Sequence, residues 1–383
     1  MKTLKFDTIV AGVGSVGAAA CYHLARRGAR VLGVEQFNIP HVRGSHHGHS
    51  RMIRQAYYEH PDYVPLLRRS YELWEELQSG SALSPFFHLT GGLYIGSDDG
   101  TIVAGSRLAA EQHGLEYEML DAGEVKNRFP AFAPDCNHTG FYETKAGFLV
   151  PERAISAHAE AATNLGATLV TGETVEGWTA HQDHVEVRTS LATYQADQLV
   201  IASGAWTGEV AAELGIELKV TRQVLAWFEP LGDRARFAPE NLPCWFIETE
   251  PPYGHYGFPV MPGDFGLKVA LHRPGSPIEL AHLSAEDHQP RQDEIDGLRT
   301  VLERYLPGCA GDLIHTCTCR YTNSPDGHFI IGKHPRHDRI SIACGLSGHG
   351  FKFSSVIGEI LADLALFGRS ALAVEFLSPA RFQ

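Results

Sequence analysis

Apolar runs at the start of the chain are interrupted by a glycine-rich turn and end at an acidic residue. Residues 8–11 (TIVA) are an apolar run that leads into residues 12–17 (GVGSVG), and residues 18–27 have a helical pattern. A second apolar run, residues 29–34, ends at Glu35. This order of strand, glycine turn, helix, strand and acid predicts a dinucleotide-binding βαβ unit, in which Glu35 accepts hydrogen bonds from ribose hydroxyls.

The glycine turn has the residues that such a unit needs. Gly12 permits the tight turn, Gly14 lets the backbone approach a pyrophosphate, and Gly17 lets helix and strand pack closely. Unpaired N–H groups at the helix N-terminus, including Ser15 and Val16, would bind the anion. An ordinary βα turn is the alternative for a glycine pattern alone, but the flanking strand, helix and acid favour the dinucleotide site.

The middle of the chain has a different pattern, and the C-terminal part returns to the first one. Residues 184–189 alternate polar and apolar side chains, and residues 199–202 have the pattern of a buried strand. Residues 221–268 are rich in aromatic residues, proline and glycine, which predicts an antiparallel sheet with a ligand pocket. Residues 340–344 then resemble a strand, followed by a second glycine loop, 345–350, and an amphipathic helix. The two glycine loops predict that both termini fold into one domain.

Composition and charge narrow the function classes. The chain has 383 residues, of which 44% are hydrophobic and 20% charged, and this excludes a disordered, collagen-like or disulfide-stapled protein. Its 32 Lys and Arg against 45 Asp and Glu give a net charge of −13. A surface that binds nucleic acid or an anionic membrane is therefore disfavoured, and an anionic ligand would need a local basic pocket.

The cysteines and the N-terminus predict the compartment. Seven cysteines are an odd number at irregular spacing, which excludes a complete disulfide framework and fits a reducing environment. Residues 1–7 lack the features of a signal peptide, and no uninterrupted apolar run reaches the ~18 residues of a membrane span. We therefore expect a soluble, cytoplasmic protein.

Seven segments, taken in order, resemble a known family. They are residues 12–17 (GVGSVG), 44–48 (GSHHG), 51–54 (RMIR), 256–259 (YGFP), 266–268 (GLK), 323–326 (NSPD) and 347–353 (SGHGFKF). This series resembles the family of monomeric sarcosine oxidases and N-methyl-L-tryptophan oxidases along almost the whole chain. The serine-histidine-histidine-glycine and histidine-glycine-phenylalanine-lysine segments are the most specific.

The resemblance implies an α/β fold of two domains. An FAD-binding, glutathione-reductase-like Rossmann domain would contain residues 1–85, 147–220 and 318–383. A substrate domain with an antiparallel sheet would contain residues 86–146 and 221–317. The family also implies a covalently flavinylated amine oxidase, which we expect to be a monomer.

The pair Cys317 and Cys319 admits several interpretations from the residues alone. A metal or redox site is one, but C-x-C is closer than the usual spacing and no second pair follows; a buried structural thiol is another. The resemblance implies that Cys319 forms the thioether to the flavin 8α-carbon and that Cys317 is structural. Arg320, next in the chain, could favour the thiolate.

The histidines His46, His47 and His49 raise the question of a zinc site, because imidazole is a common ligand. No cysteine or carboxylate lies near them in the sequence to complete such a site, so we assign no metal. In the resembling family this segment is a loop over the flavin. His49 stands where Asp is expected and Ser50 where Thr is usual, which would change the charge above the flavin.

The resemblance also implies the groups that bind an anionic substrate. Arg54 and Lys352 would both bind the substrate carboxylate, as a fork and a point charge. Arg51 would lie nearer the flavin edge, where a cation stabilises the reduced, anionic ring. For Arg54 or Lys352 taken singly, the alternative is a cation in solvent at the protein surface.

Lys268 and His272 share one face of a strand pattern, because side chains alternate with a period of two. An edge strand with its polar face in water is the alternative to a functional pair. The resemblance implies that Lys268, through water, promotes oxygen reduction at flavin N5, and that His272 and Tyr256 lie in the substrate pocket.

The cofactor contacts that we expect extend along the chain. They are Gly12, Gly14, Ser15, Val16, Gly17, Glu35, Ser45, Arg51, Val175, Trp206, Cys319, Gly348, Gly350, Phe351 and Lys352.

These observations together predict an FAD-dependent oxidase of N-methyl amino acids, whose partners are that small molecule and O2. The products would be the amino acid, formaldehyde and hydrogen peroxide. A pipecolate-type oxidase of secondary amines, a nicotinamide dehydrogenase and a non-catalytic flavin-binding or ligand-sensing protein are the alternatives. The sequence does not choose between sarcosine and N-methyltryptophan as the substrate.

Overall fold

Two large sheets and one small sheet organise the chain. The computed structural model describes residues 5–261, 263–283 and 286–383, and these residues form two eight-stranded sheets and a three-stranded sheet. The predicted α/β class with a Rossmann-type sheet and a second sheet domain is confirmed.

The described helices and strands follow in chain order. The helices are α1 Ser15–Arg26, α2 Val64–Ser79, α3 Thr101–His113, α4 Ala122–Arg128, α5 Pro151–Asn164, α6 Gly208–Glu213, α7 Gln292–Tyr305 and α8 Ser354–Phe367. The strands are β1 Lys5–Ala11, β2 Val31–Glu35, β3 Arg51–Ile53, β4 Phe87–Leu89, β5 Gly92–Gly96, β6 Glu118–Asp121, β7 Thr139–Glu143, β8 Gly147–Leu149, β9 Thr168–Thr171, β10 Val175–Ala180, β11 Val185–Thr189, β12 Thr193–Ile201, β13 Lys219–Phe228, β14 Cys244–Glu250, β15 Tyr253–Gly257, β16 Leu267–His272, β17 Leu313–Asn323, β18 Ile330–His334 and β19 His337–Cys344.

The first sheet brings the two ends of the chain together. Strand β1 pairs in parallel with β2 on one side and with β12 on the other, and the end of β12 pairs in parallel with β19. Helices α1 and α8 pack closely over this sheet. The predicted strands at residues 8–11, 199–202 and 340–344 are therefore neighbours, as the two glycine loops indicated.

The turn between β1 and α1 requires glycine for two physical reasons. Gly12 has φ 86°, in the left-handed region that favours glycine. A Cβ on Gly17 would lie 1.8 Å from the carbonyl oxygen of Gly12, so no other residue fits there without movement of the backbone. Helix α1 begins at Ser15, three residues earlier than the apolar pattern predicted, because the glycine turn itself supplies its first turn.

The second sheet has the strand order β17-β13-β16-β15-β14-β5-β7-β6. Its pairs are antiparallel, as predicted, except for β14 with β5, which are parallel. These two strands come from segments separated by the strands and helices of the first sheet, and such long connections permit parallel pairing. Helix α7 covers one face of this sheet and completes its apolar core.

The predicted division into two domains stays a prediction, and two of its boundaries fall in strands that pair with each other. Strands β13 and β17 pair along their whole length, from Lys219 with Asn323 to Phe228 with Leu313. The predicted boundaries at 220/221 and 317/318 fall inside these two strands.

Within the described ranges, none of the helices combines the length and the apolar character that a bilayer crossing needs.

The contact between α1 and α8 leads to a stability prediction. A Cβ on Gly358 would lie 2.5 Å from the Cβ of Ala19 and 2.6 Å from its carbonyl carbon. We expect Gly358→Ala to lower the free energy of unfolding by about 1–3 kcal/mol, because overpacking forces the helices apart. Urea denaturation monitored by circular dichroism measures this free energy of unfolding.

Gly297 in α7 is the control for this prediction, because no atom lies within 4 Å of a Cβ built there. Gly297→Ala should raise the free energy of unfolding by about 0.5–1 kcal/mol through helix propensity. Equal effects of the two substitutions would contradict the close packing of α1 and α8.

Candidate active site and cofactor cleft

A cavity lies where β3, the second sheet and the loop before α8 meet. Cations, an acid and aromatic side chains line it: Arg51, Met52, Arg54, Tyr58, Glu59, Phe246, Tyr256, His272, Tyr321, Gly348, His349, Phe351 and Lys352. Seven of these residues were predicted as site residues from the sequence, although they come from segments as distant as 51–54 and 348–352. The structure thus brings the predicted cations and aromatic residues to one place.

Arg54 is buried in this cavity and paired with an acid that the sequence did not reveal. Its Nη2 donates to both carboxylate oxygens of Glu59, at 2.7 and 2.6 Å, and its Nη1 donates to the carbonyl oxygen of Ala56 at 2.9 Å. Burial opposes ionisation of Glu59, but the attraction of Arg54 outweighs it and lowers the pKa of Glu59 to about 2. Arg54 and Glu59 are therefore both charged at neutral pH.

The backbone after Arg54 is held by another buried acid. Glu143, on β7, accepts the N–H groups of Gln55 and Ala56 through Oε2, at 3.2 and 3.1 Å. Its Oε1 accepts a hydrogen bond of 2.6 Å from the hydroxyl of Tyr94. Burial raises the pKa of Glu143, and these donors oppose that effect. The second sheet thereby fixes the segment that carries Arg54.

Lys352 is the second buried cation of the cavity. Its Nζ donates to the carbonyl oxygen of His349 at 2.9 Å. Burial, and then repulsion by Arg54, lowers the pKa of Lys352 to about 7, while Glu59 acts in the opposite direction. With Lys352 protonated, the cavity lining has three cations, Arg51, Arg54 and Lys352, against one carboxylate, Glu59, and this positive excess suits an anionic ligand.

Tyr256, His272 and Tyr321 form an aromatic wall of the cavity. His272 Nδ1 lies 3.2 Å from the hydroxyl of Tyr321, and the rings of Tyr256 and His272 are 6.3 Å apart. Phe246 packs against both Tyr256 and His272. Burial lowers the pKa of His272 to about 4, so its imidazole is neutral. Tyr256 and His272 thus line one cavity, and their place in a substrate pocket stays a prediction.

Lys268 lies on an adjoining side of the site and is buried. Strand β16 pairs with both β13 and β15, so the alternative of an edge strand with its polar face in water is wrong. Lys268 Nζ donates to the carbonyl oxygens of Gly48 and Ser50, at 2.7 and 2.6 Å, and lies 3.2 Å from Ser50 Oγ. Burial and repulsion by Arg51 lower its pKa. Three oxygen acceptors are the number that an ammonium group can satisfy.

Cys317, Cys319 and Tyr321 alternate along one face of β17, and Arg51 lies beside this face. Burial raises the pKa of the Cys319 thiol, and Arg51 and then Lys268 oppose that effect.

Within the described part of the chain, no group of three or more His, Cys, Asp or Glu is placed to hold a metal ion.

Arg320 favours the Cys319 thiolate, as expected, but Arg51 and Lys268 have larger effects on it. Arg320 is the next residue of a strand, so its side chain points to the other face. There its Nη1 donates to the carbonyl oxygen of Arg43 at 2.5 Å, and its guanidinium lies 5.5 Å from the Trp206 ring. Arg320 opposes the raised pKa of Cys319 less than Arg51 does.

The loop of histidines lies between Lys268 and the glycine turn. Burial lowers the pKa of His46 to about 3 and of His47 to about 4, so both rings are neutral. His49 has φ 68° and is exposed, with its ring against Trp227 and Phe265. The substitution of His49 for the expected acid therefore puts an imidazole at the surface of this loop.

The cleft along α1 fits the pyrophosphate of a dinucleotide. The first-turn N–H groups of α1, at Ser15, Val16 and Gly17, have no hydrogen-bond partner among the described residues, and no acid lies in that turn. His46 beside Gly14 has a buried Nε2 that also lacks a partner in the part of the chain described. The unpaired N–H groups of α1 are the donors that a pyrophosphate would satisfy.

Glu35 closes the other end of this cleft at the end of β2. Its carboxylate accepts the N–H groups of Val13 at 2.8 Å and Phe37 at 3.0 Å, and burial raises its pKa. Val175 is farther along, at the start of β10 and two residues after Glu173, whose N–H donates to the carbonyl oxygen of Glu35. The predicted role of Glu35 as acceptor of ribose hydroxyls stays a prediction.

The remaining predicted contacts lie near the cavity. Ser45 accepts a hydrogen bond from Arg51 Nη2 at its carbonyl oxygen, at 3.1 Å. A Cβ on Gly348 would lie 2.3 Å from the Tyr321 ring, and one on Gly350 would lie 2.5 Å from Leu346, so both glycines allow close approach of the loop.

Several residues of the cavity were missed by the sequence reasoning: Met52, Tyr58, Glu59, Phe246, Tyr321 and His349. Three of them had a usable signal. His349 lies inside the segment SGHGFKF, Met52 lies inside the segment RMIR, and Tyr321 follows Cys319 on the same face of a strand. Glu59 and Phe246 had none, because they reach the cavity only through the fold.

Comparisons with known proteins agree with this geometry. The family described as FAD dependent oxidoreductase (DAO) matches residues 7–364. A monomeric sarcosine oxidase from Streptomyces avermitilis is 44% identical, over 98% of this chain and 97% of the relative. The N-methyl-L-tryptophan oxidase of Escherichia coli (strain K12 / DH10B) is 36% identical, over 99% and 100%. Among solved structures NikD, an unusual amino acid oxidase essential for nikkomycin biosynthesis, superposes with a TM-score of 0.84 at 26% identity, covering 98% of each chain.

The pKa of Lys352 predicts how anion binding depends on pH. Lys352 is charged below pH about 7 and neutral above it, so the dissociation constant of a small carboxylate should rise roughly tenfold per pH unit above that value. Arg54, Glu59, His272 and His349 face it, and their pKa values lie far from neutrality. Methoxyacetate is a suitable probe because it has no titratable nitrogen. Isothermal titration calorimetry measures its affinity.

Lys352→Arg is the control for this pH dependence, because a guanidinium stays charged over the whole range. We expect the dissociation constant of methoxyacetate to be nearly independent of pH in this variant. The same rise above neutral pH in Lys352→Arg and in the wild type would contradict the assignment to Lys352.

Proposed function

Since this chain belongs to the family of FAD dependent oxidoreductases, we propose that it oxidises N-methyl amino acids. The reaction consumes the N-methyl amino acid, O2 and water, and it yields the primary amino acid, formaldehyde and hydrogen peroxide. Bound FAD would supply the two-electron acceptor and pass the electrons to O2. The relatives named sarcosine oxidase and N-methyl-L-tryptophan oxidase support this substrate class.

The observation that carries the proposal is the buried cavity with two cations and an aromatic wall. Arg54 and Lys352 bind the substrate carboxylate, one as a planar fork and the other as a point charge. Glu59 already accepts two hydrogen bonds from Arg54, so the substrate carboxylate competes with this acid for the guanidinium. Lys352 makes a single hydrogen bond to the described residues and keeps other donors for the ligand.

The aromatic wall has a different role. Tyr256, Tyr321 and the neutral imidazole of His272 offer apolar surface and hydroxyl groups and carry no charge themselves. Such surroundings favour binding of the amine in its unprotonated form, which is the form that can lose electrons. They also exclude water from the reacting carbon.

The cations on the other side of the site act toward the cofactor and O2. Arg51 lies beside Cys319 and would stabilise negative charge on the reduced flavin. Lys268 is held by the backbone of the loop at Gly48 and Ser50, so its charge has a fixed place from which it favours reduction of O2. These roles for Arg51 and Lys268 are part of the proposal.

We further propose that Cys319 is covalently bonded to the flavin through an 8α-thioether and that the enzyme is a cytoplasmic monomer. Arg51 and Lys268 beside Cys319 support formation of its thiolate. None of the seven cysteines forms a disulfide in the described structure, which agrees with a reducing compartment. The family match favours FAD over the nicotinamide alternative.

Peroxide release tests the proposed reaction. The purified protein should release hydrogen peroxide with sarcosine, N-methyl-L-tryptophan or pipecolate, measured by a peroxidase-coupled assay in air. Lys352→Met should raise KM by roughly tenfold or more, because a buried partner of the carboxylate is lost. Activity with pipecolate alone would favour the oxidase of cyclic secondary amines. Absence of peroxide with all three compounds would refute the proposed function.

Acid precipitation tests the covalent attachment. The precipitated wild-type protein should stay yellow, and Cys319→Ala should release its flavin to the supernatant. Cys317→Ala is the matched control, since it removes a thiol from the same face of β17 and should keep a yellow precipitate. A yellow precipitate of Cys319→Ala, or a colourless one of the wild type, would contradict the proposed linkage.

A further inference from the structure

The two cations of the cavity contact the same aromatic ring. The guanidinium carbon of Arg54 lies 4.4 Å, and the Nζ of Lys352 5.2 Å, from the centre of the Tyr57 ring. The face of an aromatic ring attracts cations, and the attraction is strongest where water is excluded. Arg54, Lys352 and Tyr57 are all buried. The ring is therefore a common support for two like charges that repel each other.

The hydroxyl of Tyr57 is held by His349. It lies 2.5 Å from His349 Nδ1, and His349 Nε2 lies 3.0 Å from the carbonyl oxygen of Gly327. A carbonyl oxygen only accepts, so Nε2 carries the proton and Nδ1 accepts the hydrogen bond from Tyr57. Burial lowers the pKa of His349 to about 3, so this arrangement persists through the neutral pH range.

This hydrogen bond joins two segments that are 292 residues apart in the sequence. Tyr57 follows Arg54 on one segment, and Lys352 follows His349 on the other. The Nζ of Lys352 also donates to the carbonyl oxygen of His349 at 2.9 Å. Tyr57, His349 and Lys352 therefore contact one another, and Arg54 contacts the same Tyr57 ring.

We propose that Tyr57, held by His349, is a positioning residue that keeps Arg54 and Lys352 at the separation needed to bind one substrate carboxylate. The inference rests on the proposed function in so far as the anion is taken to be the carboxylate of an amino acid. Tyr57 acts through the two cations. Its loss should therefore weaken carboxylate binding and lower the pH at which Lys352 loses its proton, with little effect on the redox step.

Tyr63 provides a matched control for the packing role of Tyr57. Both rings are fully buried, and their centres are 5.1 Å apart. The hydroxyl of Tyr63 also has a histidine partner, His328, at 3.2 Å. No cation–ring contact joins Tyr63 to Arg54 or Lys352 among the residues described here. Removal of Tyr63 thus measures lost packing in the same aromatic cluster, while the Tyr57 ring still contacts both cations.

The experiment compares Tyr57→Leu and Tyr63→Leu holoenzymes by calorimetric titration with methoxyacetate between about pH 5 and about pH 9. We expect the dissociation constant to rise roughly tenfold in Tyr57→Leu and less than about twofold in Tyr63→Leu. In Tyr57→Leu the pH at which affinity falls should also decrease, and KM should rise while kcat changes by less than about threefold. Equal affinity losses in the two variants, or an unchanged pH profile, would overturn the inference.

Besides Tyr57 itself, whose pKa burial raises well above its ordinary value, the charged and titratable groups that face Lys352 are Arg54, Glu59, His272 and His349. All four stay in the two variants. A shift of the pH profile in Tyr57→Leu alone is therefore attributable to the lost ring contact with Lys352.

Failure of the proposed function would look different. A wild type that binds methoxyacetate but releases no peroxide would refute the function and leave the inference standing. A wild type that does not bind methoxyacetate would overturn the inference even if it releases peroxide. If Tyr57→Leu gives no soluble holoenzyme, Tyr57→Phe and Tyr63→Phe replace the pair; roughly threefold weaker binding is expected in the first only, and equal binding in both would overturn the inference.

Discussion

The burial of two cations, Arg54 and Lys352, in one aromatic cavity is the constraint that the site depends on. Removing each charge from water costs on the order of several kcal/mol, and the two charges also repel each other. The surrounding structure offsets this with Glu59, with backbone carbonyl oxygens and with the Tyr57 ring. Glu59 balances only one of the cations that line the cavity, and the remaining positive charge gives an acidic protein a specific site for an anion.

The fold supplies the precision that this arrangement needs. Lys352 lies just before α8, and α8 packs against α1 so closely that Gly358 has no room for a side chain. Arg54 is fixed independently, because Glu143 on the second sheet binds the backbone that follows it. The cavity therefore forms only when both sheets are folded and in contact, and the site and the overall fold depend on the same interactions.

A second group of cations, Arg51 and Lys268, lies on the other side of the cavity, and strand geometry decides which cation is next to Cys319. The alternation of β17 puts Cys319 and Tyr321 on one face and Arg320 on the other, so the cation that matters for the thiol comes from a different strand. Lys268 is held by the loop of histidines rather than by an acid. In this region Arg51 and Lys268 both donate to backbone carbonyl oxygens, and the nearby carboxylate of Glu152 accepts the N–H groups of Gly48 and His49.

The sequence by itself determined the features that depend on neighbours in the chain: the βαβ unit with its glycine turn, the helix that ends near Gly368, and the family to which the motifs belong. Arg54, Lys352 and Lys268 were found because they lie inside such motifs. Only the tertiary structure decided that Glu59 pairs with Arg54, that Arg51 rather than Arg320 faces Cys319, and that Tyr57 contacts both cations. These contacts depend on side-chain direction and on segments up to about three hundred residues apart, and local sequence patterns carry neither kind of information.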